Sequence, residues 1–395
     1  MRVHFLGIGG SGASAVAALA QAEGFEVTGC DLEPHNEFTT HFKSSQLFEG
    51  HDPSHLEGVD ILAVTPAIFS LDPDNGELKA AKNVMTWQQF LGEYLTKGKF
   101  VIAVCGTHGK TTTTAMIAQM LEDANLDPTV ELGAINPKWG KNFRVGKGKY
   151  LVLEADEFND NFLHFKPDIT IVTNIEMDHP EYFKDLAEVR KSFEEFKKQS
   201  KNIIDKPNPK LITFPLKVPG YFNILNASFA FQTGLLLRLS PQVIKKSLQN
   251  YSGVSRRFEY IGEYNGAKVY SDFGHHPTEI KVTVEAVREK FPNKRILLIY
   301  QPHMFSRTKA LFDDFVKVFK QIPADKIFIM DIYPSREIDT GLVSSKQLVE
   351  SINKPSVIYS ENVLDKLKSE IKPGDIVFFM SAGDTDKLAK QLLLN

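Results

Sequence analysis

The segment Gly106-Thr107-His108-Gly109-Lys110-Thr111 constrains the fold more than any other part of this 395-residue chain. It follows an apolar run at 98–104 and opens an apolar helix predicted to reach about Leu126. The two glycines free backbone N–H groups, the lysine can neutralise β- and γ-phosphates, and the threonine oxygen can reach Mg²⁺. A Walker A loop has glycine where Val104 stands, yet the physical elements of a phosphate loop remain. A threonine-rich helix cap is the much weaker alternative.

Strand and helix patterns alternate along the whole chain, which predicts an α/β fold. Residues 2–6, 25–30 and 59–64 favour strands, about 13–23 and 77–97 favour helices, and the pattern restarts at 98 and again near 254. We therefore expect three α/β domains in series. The predicted domains are a Rossmann-like domain at 1–97, a central P-loop domain at 98–254 and a third domain at 255–395.

A second glycine-rich loop lies between the first strand and the first helix. Its residues are Gly7, Gly9, Gly10, Ser11 and Gly12, and Asp31 stands at the tip of the next strand. Such a loop can bring backbone N–H groups to a diphosphate at a helix N-terminus. The spacing alone is weak: it also suits an NAD site, or simply a tight strand-to-helix turn.

Carboxylates follow two further strands of the central domain. Glu154 begins the sequence EADE, and His179 ends NIEMDH, in which Asn174, Glu176 and Asp178 offer more ligand atoms. Because parallel strands end at the same sheet edge as the phosphate loop, these groups predict a site for a hard cation. Solvated surface charge is the alternative. The spacing of two distant cysteines and scattered histidines does not predict a structural zinc site.

The last 175 or so residues carry polar loops of a different kind. Asn223 and Asn226 start a helix, where asparagine is also a good N-cap. Arg257 follows the predicted boundary near 254 and could reach a phosphate or form an ordinary ion pair.

Two later strand-to-helix loops bring histidines and an arginine to one sheet edge, as in a pocket for a carboxylate or an amine; they are SDFGHHPTE at 271–279 and QPHMFSRT at 301–308. His276 could also only cap its helix.

Charge and composition narrow the function classes. Lys and Arg number 46 and Asp and Glu 49, a formal charge of −3 without a long basic block, so a nucleic-acid or membrane-surface binder is not expected. Two cysteines cannot form a disulfide framework, which favours a reducing cytoplasm. No apolar run has the length of a bilayer span, and the N-terminus lacks a signal-peptide layout.

Taken in order, the motifs resemble those of the Mur ligases. They are GTHGKTTTT, EADE, TNIEMDH, PG-x-x-N-x-x-N-A, RRFE, D-x-x-HHPTE and QPH-x-x-SRT, and the match runs from Gly7 to about Asp384. The resemblance implies a three-domain ligase with a Rossmann-like domain for a UDP-sugar, a central ATPase domain and a Rossmann-like C-terminal domain. It also implies that ATP activates the lactyl carboxylate of UDP-N-acetylmuramate as an acyl phosphate, which a small amino acid, most simply L-alanine, then attacks.

The resemblance also implies roles for individual residues. Lys110, Glu154, His179 and Arg257 would be catalytic. ATP would be bound by Gly106, Thr107, His108, Gly109, Lys110, Thr111, Thr112, Asn223, Asn226, Arg257 and Asp272. Mg²⁺ would be held by Thr111, Glu154 and His179. The UDP-sugar would be bound by Gly7, Gly9, Gly10, Ser11, Gly12 and Asp31, and the amino acid by His275, His303 and Arg307. The implied protein is a cytoplasmic monomer or homodimer.

Three substitutions and one shortening depart from the family pattern. Phe222 stands where the family usually has histidine, Phe273 where it often has tyrosine, and Met304 where it often has arginine. Methionine cannot replace the bidentate fork of a guanidinium. The chain is also short around 205–215. Two alternatives therefore stay open: a sister ligase for another amino acid or a peptide, and a degenerate nucleotide-binding scaffold.

Overall fold

The structure is a computed structural model that describes residues 1–335 and 337–394. Its described residues form three mostly parallel sheets with helices between the strands, which confirms the predicted α/β class. By compactness the chain divides into two units, one formed by 1–177, 185–215 and 225–251 and the other by 178–184, 216–224 and 252–395. The boundaries predicted at 98 and 254 stay predictions.

The first sheet belongs to the first unit and has the order β3-β2-β1-β4-β5, with all strands parallel. Its strands are β1 (Arg2–Leu6), β2 (Glu26–Asp31), β3 (Leu47–Glu49), β4 (Ile61–Val64) and β5 (Val84–Thr86). Its helices are α1 (Ser11–Ala22), α2 (Ile68–Leu71), α3 (Gly76–Ala80) and α4 (Trp87–Phe90), and a π-helical turn at Leu91–Leu95 follows. Shorter 3₁₀ turns lie at Ser44–Gln46 and Pro53–Leu56.

The predicted helix at 77–97 is wrong, because a strand interrupts it. Val84 pairs with Leu62 and Thr86 with Val64, so β5 closes one edge of the sheet. Val and Thr are branched at Cβ, which favours a strand once a neighbouring strand is available. Pairing within the sheet therefore outweighed the local helical pattern.

The second sheet also lies in the first unit, in the order β11-β10-β6-β9-β7-β8. Its strands are β6 (Phe100–Cys105), β7 (Thr129–Asn136), β8 (Lys141–Arg144), β9 (Tyr150–Glu154), β10 (Ile169–Val172) and β11 (Asn202–Ile204). Only β8 runs antiparallel to its neighbour. The helices are α5 (Lys110–Asp123), α6 (Leu186–Lys198), α7 (Tyr221–Leu236) and α8 (Pro241–Asn250), with 3₁₀ turns at Phe158–His164 and Pro209–Leu211. The central strands β6 and β9 are buried almost throughout, as parallel strands covered on both faces must be.

The third sheet lies in the second unit, in the order β12-β13-β17-β14-β15-β16, and only β12 is antiparallel. Its strands are β12 (Glu259–Tyr264), β13 (Ala267–Asp272), β14 (Ile296–Tyr300), β15 (Lys326–Ile329), β16 (Val357–Tyr359) and β17 (Ile376–Met380). Its helices are α9 (Pro277–Lys290), α10 (Phe305–Ala310), α11 (Phe312–Gln321), α12 (Ser345–Ile352), α13 (Val363–Glu370) and α14 (Thr385–Leu393). Apolar clusters cover both faces of this sheet. Among the described residues, no helix is both long and apolar enough to cross a bilayer.

Candidate active site

The predicted phosphate loop connects β6 to α5. Gly109 is the N-cap of α5 with φ +82°, a left-handed conformation that a side chain would strain. A Cβ on Gly109 would also lie 2.5 Å from Asn226 Oδ1, so the loop packs tightly against α7. Both constraints explain why glycine stands directly before Lys110.

Asn174, which lies just after β10, holds the backbone of this loop in place. Its Oδ1 accepts the N–H of His108 at 2.9 Å, and its Nδ2 donates to the carbonyl of His108 at 3.0 Å. Thr107 Oγ1 in turn accepts the N–H of Glu176 at 2.9 Å. The sequence suggested Asn174 as a possible cation ligand, whereas in the structure it fixes the backbone of the loop.

Lys110 is enclosed by acceptors. Its Nζ donates to the carbonyl of Gly106 at 2.7 Å and to Glu157 Oε2 at 2.9 Å, and Asp156 Oδ1 lies 3.5 Å away. Burial alone would lower the pKa of Lys110, but Glu157 and Asp156 outweigh it and raise that pKa well above its ordinary value. Lys110 is therefore a permanent positive charge at the mouth of the loop. The sequence predicted the EADE carboxylates, Glu157 included, at the site of a hard cation, whereas in the structure Glu157 is paired with Lys110.

Thr111 and Glu154 lie together, as the strand ends predicted. Thr111 Oγ1 donates to Glu154 Oε2 at 2.9 Å, and the N–H of Gly133 donates to Glu154 Oε1 at 2.5 Å. A hydroxyl and a carboxylate oxygen are donors that suit Mg²⁺. Behind them lies Glu131, whose pKa burial and the charge of Glu154 raise well above its usual range. The assignment of His179 as the third ligand stays a prediction.

The side chains of Asp31 and Asn36 hold the glycine loop after β1. Asp31 Oδ2 accepts the N–H of Gly9 at 2.9 Å, and Asn36 Nδ2 donates to the Gly9 carbonyl at 3.0 Å. A Cβ on Gly12 would lie 2.4 Å from the Trp87 ring, so this glycine allows α1 to approach α4. Tight packing thus accounts for part of the glycine pattern, and the role of Gly7, Gly10 and Ser11 in binding a UDP-sugar stays a prediction.

In the second unit, Arg307 and Asp178 form a buried ion pair. Arg307 Nε donates to Asp178 Oδ1 at 2.9 Å, and both side chains are less than a tenth exposed. Burial acts to raise the pKa of Asp178, but His179 and Arg307 hold it well below its usual range. His303 Nδ1 lies 3.2 Å from Arg307 Nη1, and the His303 and His275 rings are 5.8 Å apart. The three residues predicted to bind the amino acid are therefore neighbours.

Glu279 organises the loop that carries His275. Its Oε2 accepts the N–H groups of His275 and His276 at 3.0 and 3.2 Å. Burial lowers the pKa of His275 to about 3, and the charge of Arg307 acts in the same direction. His275 is thus a neutral imidazole at neutral pH. His276 accepts the N–H of Thr278 at 3.2 Å and caps α9, which confirms the capping alternative.

Asp272 and Arg257 lie at the start of the same unit. Asp272 accepts the N–H groups of Phe258 and Gly274, both at 2.8 Å, and burial raises its pKa. Arg257 lies 3.8 Å from Glu279 and 5.1 Å from the centre of the Phe273 ring. The ion pair and the ring contact fix the guanidinium in place, and its contact with a triphosphate stays a prediction.

Asn223 lies inside α7 and donates to the Pro219 carbonyl at 2.7 Å, so the capping alternative for Asn223 is wrong. Asn226 and Thr112 are buried. Met304, only 1% exposed, has φ +70° and directs its sulfur to within 3.9 Å of Arg307 Nη1. Met304 therefore contacts Arg307, and its place in an amino-acid pocket stays a prediction.

Three family models match this chain. The family model described as "Mur ligase family, catalytic domain" matches residues 2–96, "Mur ligase middle domain" matches 104–205, and "Mur ligase, glutamate ligase domain" matches 256–383. A protein named UDP-N-acetylmuramate–L-alanine ligase from Acetivibrio thermocellus is 36% identical over 99% of this chain and 95% of its own length. A protein of the same name from Aquifex aeolicus is 33% identical over 99% and 97%.

The chain belongs to the Mur ligase family. It is therefore an ATP-dependent ligase that forms C–N bonds, and peptidoglycan synthesis is the process it serves. The alignment with the Acetivibrio protein spans 454 positions against the 395 residues of this Mur ligase, so the relative carries segments that this chain lacks.

Solved structures agree with the fold of this Mur ligase. The structure of UDP-N-acetylmuramate-alanine ligase from Thermotoga maritima has a TM-score of 0.80 at 26% identity and covers 100% of this chain and 98% of its own. A murein peptide ligase from Psychrobacter arcticus has a TM-score of 0.70 at 23% identity and supports the fold alone. The three-sheet arrangement is therefore the one found in Mur ligases.

Proposed function

We propose that this Mur ligase joins L-alanine to the lactyl carboxylate of UDP-N-acetylmuramate and consumes ATP. The observation that carries the proposal is the full-length similarity to relatives of that name, together with an intact Lys110–Thr111–Glu154 arrangement in the phosphate loop. A degenerate scaffold would have no use for a buried, permanently charged lysine beside a hydroxyl and carboxylate pair.

The proposed reaction has two steps. A lactyl carboxylate oxygen attacks the γ-phosphorus of ATP, the bond to the bridging oxygen breaks, and ADP leaves an acyl phosphate behind. The amine of L-alanine then attacks the acyl carbon, loses a proton, and inorganic phosphate departs as the amide forms. Lys110 offsets the charge on the migrating phosphoryl group and helps to orient it.

Thr111 and Glu154, with His179 as predicted, would hold Mg²⁺ in this reaction. The donor set fits, because the two groups that the structure brings together offer oxygen atoms. Bound Mg²⁺ neutralises phosphate charge in the transition state. Asn223, Asn226 and Asp272 are proposed to contact the adenosine, and Arg257 the triphosphate.

The amino acid is proposed to bind at Arg307, His303 and His275. Arg307 offers guanidinium N–H groups to a carboxylate beyond the one that Asp178 accepts. Met304 and Phe273 make the rest of the wall apolar, and such a wall separates small side chains by only about 1–3 kcal/mol per methylene. We therefore expect L-alanine to be used, with glycine and L-serine as measurable competitors.

The test is phosphate release and product mass with ATP, Mg²⁺, UDP-N-acetylmuramate and a panel of amino acids. We expect phosphate release only when both UDP-N-acetylmuramate and L-alanine are present. The product should be heavier than UDP-N-acetylmuramate by one alanine residue. Turnover only with a peptide would favour the sister-ligase alternative. ATP binding without any turnover would favour the scaffold.

A further inference from the structure

A buried group of metal-ligand side chains lies in the first sheet, apart from the phosphate loop. Its members are His4 on β1, Cys30 on β2, His55 in the turn before β4, and Glu77 in α3. One ligand atom from each lies within 4.8 Å of the others. Sequence spacing did not predict a zinc site, because the four residues come from four separate elements that only the fold brings together.

Glu77 lies close to each of the other three side chains. Glu77 Oε2 lies 3.1 Å from Cys30 Sγ and 3.9 Å from His4 Nε2, and Glu77 Oε1 lies 2.8 Å from His55 Nδ1. Four ligands around a tetrahedral Zn²⁺ are about 3.3–3.7 Å apart, given bonds of about 2.0–2.3 Å. Small side-chain shifts would therefore accommodate the ion.

His4 points to a missing partner. Its Nδ1 is 2.9 Å from Thr28 Oγ1, and its Nε2 is fully buried without a hydrogen bond to any described residue. A buried polar atom without a partner costs free energy, and the nearest acceptor is too distant to bond it. The hydrogen bond at one ring nitrogen leaves the other free to ligate, which is how metal-bound histidines are usually oriented.

The charges also suit a divalent cation. A metal ion bound to the Cys30 sulfur would displace the thiol proton. A thiolate, a carboxylate and two neutral imidazoles around Zn²⁺ carry no net charge, which favours burial.

We propose that His4, Cys30, His55 and Glu77 form a structural zinc site in the first sheet. The carbonyl of Cys30 accepts the N–H groups of Gly7 at 2.9 Å and Ile8 at 3.2 Å, so an ion held by Cys30 braces the start of the glycine loop. His51, whose Nδ1 is 3.2 Å from Cys30 Sγ, is the one further imidazole at the thiol among the described residues. A cleft of about 590 Å³ is lined by Thr28, Phe48 and His55, so it reaches one of the four proposed ligands.

The experiment uses the full chain, stripped with a chelator and titrated with Co²⁺ or Zn²⁺ in excess Mg²⁺, which occupies oxygen-ligand sites. We expect one equivalent of metal per chain and a thiolate-to-cobalt charge-transfer band. Zinc binding should release a proton and raise the melting temperature. The absence of a one-to-one complex in the wild-type chain would overturn the proposal.

Matched variants identify the ligands. The chain has two cysteines, so Cys30→Ser should abolish the cobalt band, whereas Cys105→Ser should keep it. Thr28→Val, which removes the partner of His4 Nδ1, should weaken binding about tenfold or more. Circular dichroism of each variant checks that it is folded. A cobalt band that survives in folded Cys30→Ser, or is lost in Cys105→Ser, would overturn the assignment.

Discussion

Lys110 Nζ donates a 2.9 Å hydrogen bond to Glu157, a carboxylate that is only 2% exposed. The pair neutralises the lysine while the loop holds no phosphate. In Glu157→Gln the shape is kept but the charge is lost, and Lys110 keeps the Gly106 carbonyl and the more distant carboxylate of Asp156. We expect an unfolding free energy lower by about 1–3 kcal/mol without nucleotide.

ATP should restore much of that stability, because its phosphates replace the missing charge. The measurement is the melting temperature of Glu157→Gln with and without an ATP analogue, which should rise more than in the wild type. Glu195→Gln, which removes an exposed partner of Lys198, is the control and should change stability by less than about 1 kcal/mol. Equal nucleotide shifts in Glu157→Gln and wild type would contradict this account of the pair.

Lys110→Ala should abolish turnover and leave a folded protein. Loss of one such electrostatic group costs about 10²–10³ in rate. Phosphate release in the complete reaction measures the effect, with Lys110→Arg as the variant that keeps the charge and recovers part of the rate. Near-normal activity of Lys110→Ala would exclude the assigned role.

If Glu154 binds Mg²⁺ as proposed, Glu154→Gln should raise the Mg²⁺ concentration needed for half-maximal activity by roughly tenfold or more, since it removes a negative ligand. Glu131→Gln is the matched contrast on the neighbouring strand. Burial raises the pKa of Glu131, and its Oε2 accepts the N–H of Glu154 at 3.0 Å, a bond that the amide oxygen of glutamine can also accept, so the Mg²⁺ requirement should change little. A Mg²⁺ titration of both variants tests this prediction. A larger Mg²⁺ requirement in Glu131→Gln than in Glu154→Gln would place the ion elsewhere.

The ion pair of Asp178 and Arg307 should make stability depend on pH. The pKa of Asp178 is lower in the folded chain than its unfolded value of about 3.9, so its contribution is complete above that pH and is lost as pH falls further. The stability difference between wild type and Asp178→Asn should thus be constant above about pH 5 and shrink below about pH 4. Urea midpoints at several pH values measure it, with the exposed Asp314→Asn as a control.

Met304→Arg should destabilise the second unit rather than improve amino-acid binding. The new guanidinium would be buried within a few ångströms of Arg307, a like charge, at a cost of about 3 kcal/mol or more. Met304→Leu should cost less than about 1.5 kcal/mol. Thermal melts and the KM for L-alanine measure both effects. A stable Met304→Arg variant with a lower KM for L-alanine would contradict this expectation, because it would show that the pocket accommodates a second guanidinium.

The sequence predicted the elements that depend on local pattern and motif. The phosphate loop, the Thr111–Glu154 pair and the neighbourhood of His275, His303 and Arg307 follow from residues placed at strand ends. The roles of Glu157 and Asn174 did not, because each depends on which backbone or charge the fold brings to it. The strand β5 was missed for the same reason, since each of its residues pairs with a β4 residue 22 positions earlier, such as Leu62 with Val84.

The two hydrogen bonds between the Asn174 side chain and the His108 backbone affect how quickly a nucleotide can bind. Both backbone groups of His108 are already engaged by one side chain, so the loop keeps its shape before any phosphate arrives. Little conformational entropy is then left to lose on association. Encounter with the nucleotide, rather than ordering of the loop, should therefore set the on-rate, and Asn174→Ala should slow association more than it speeds release.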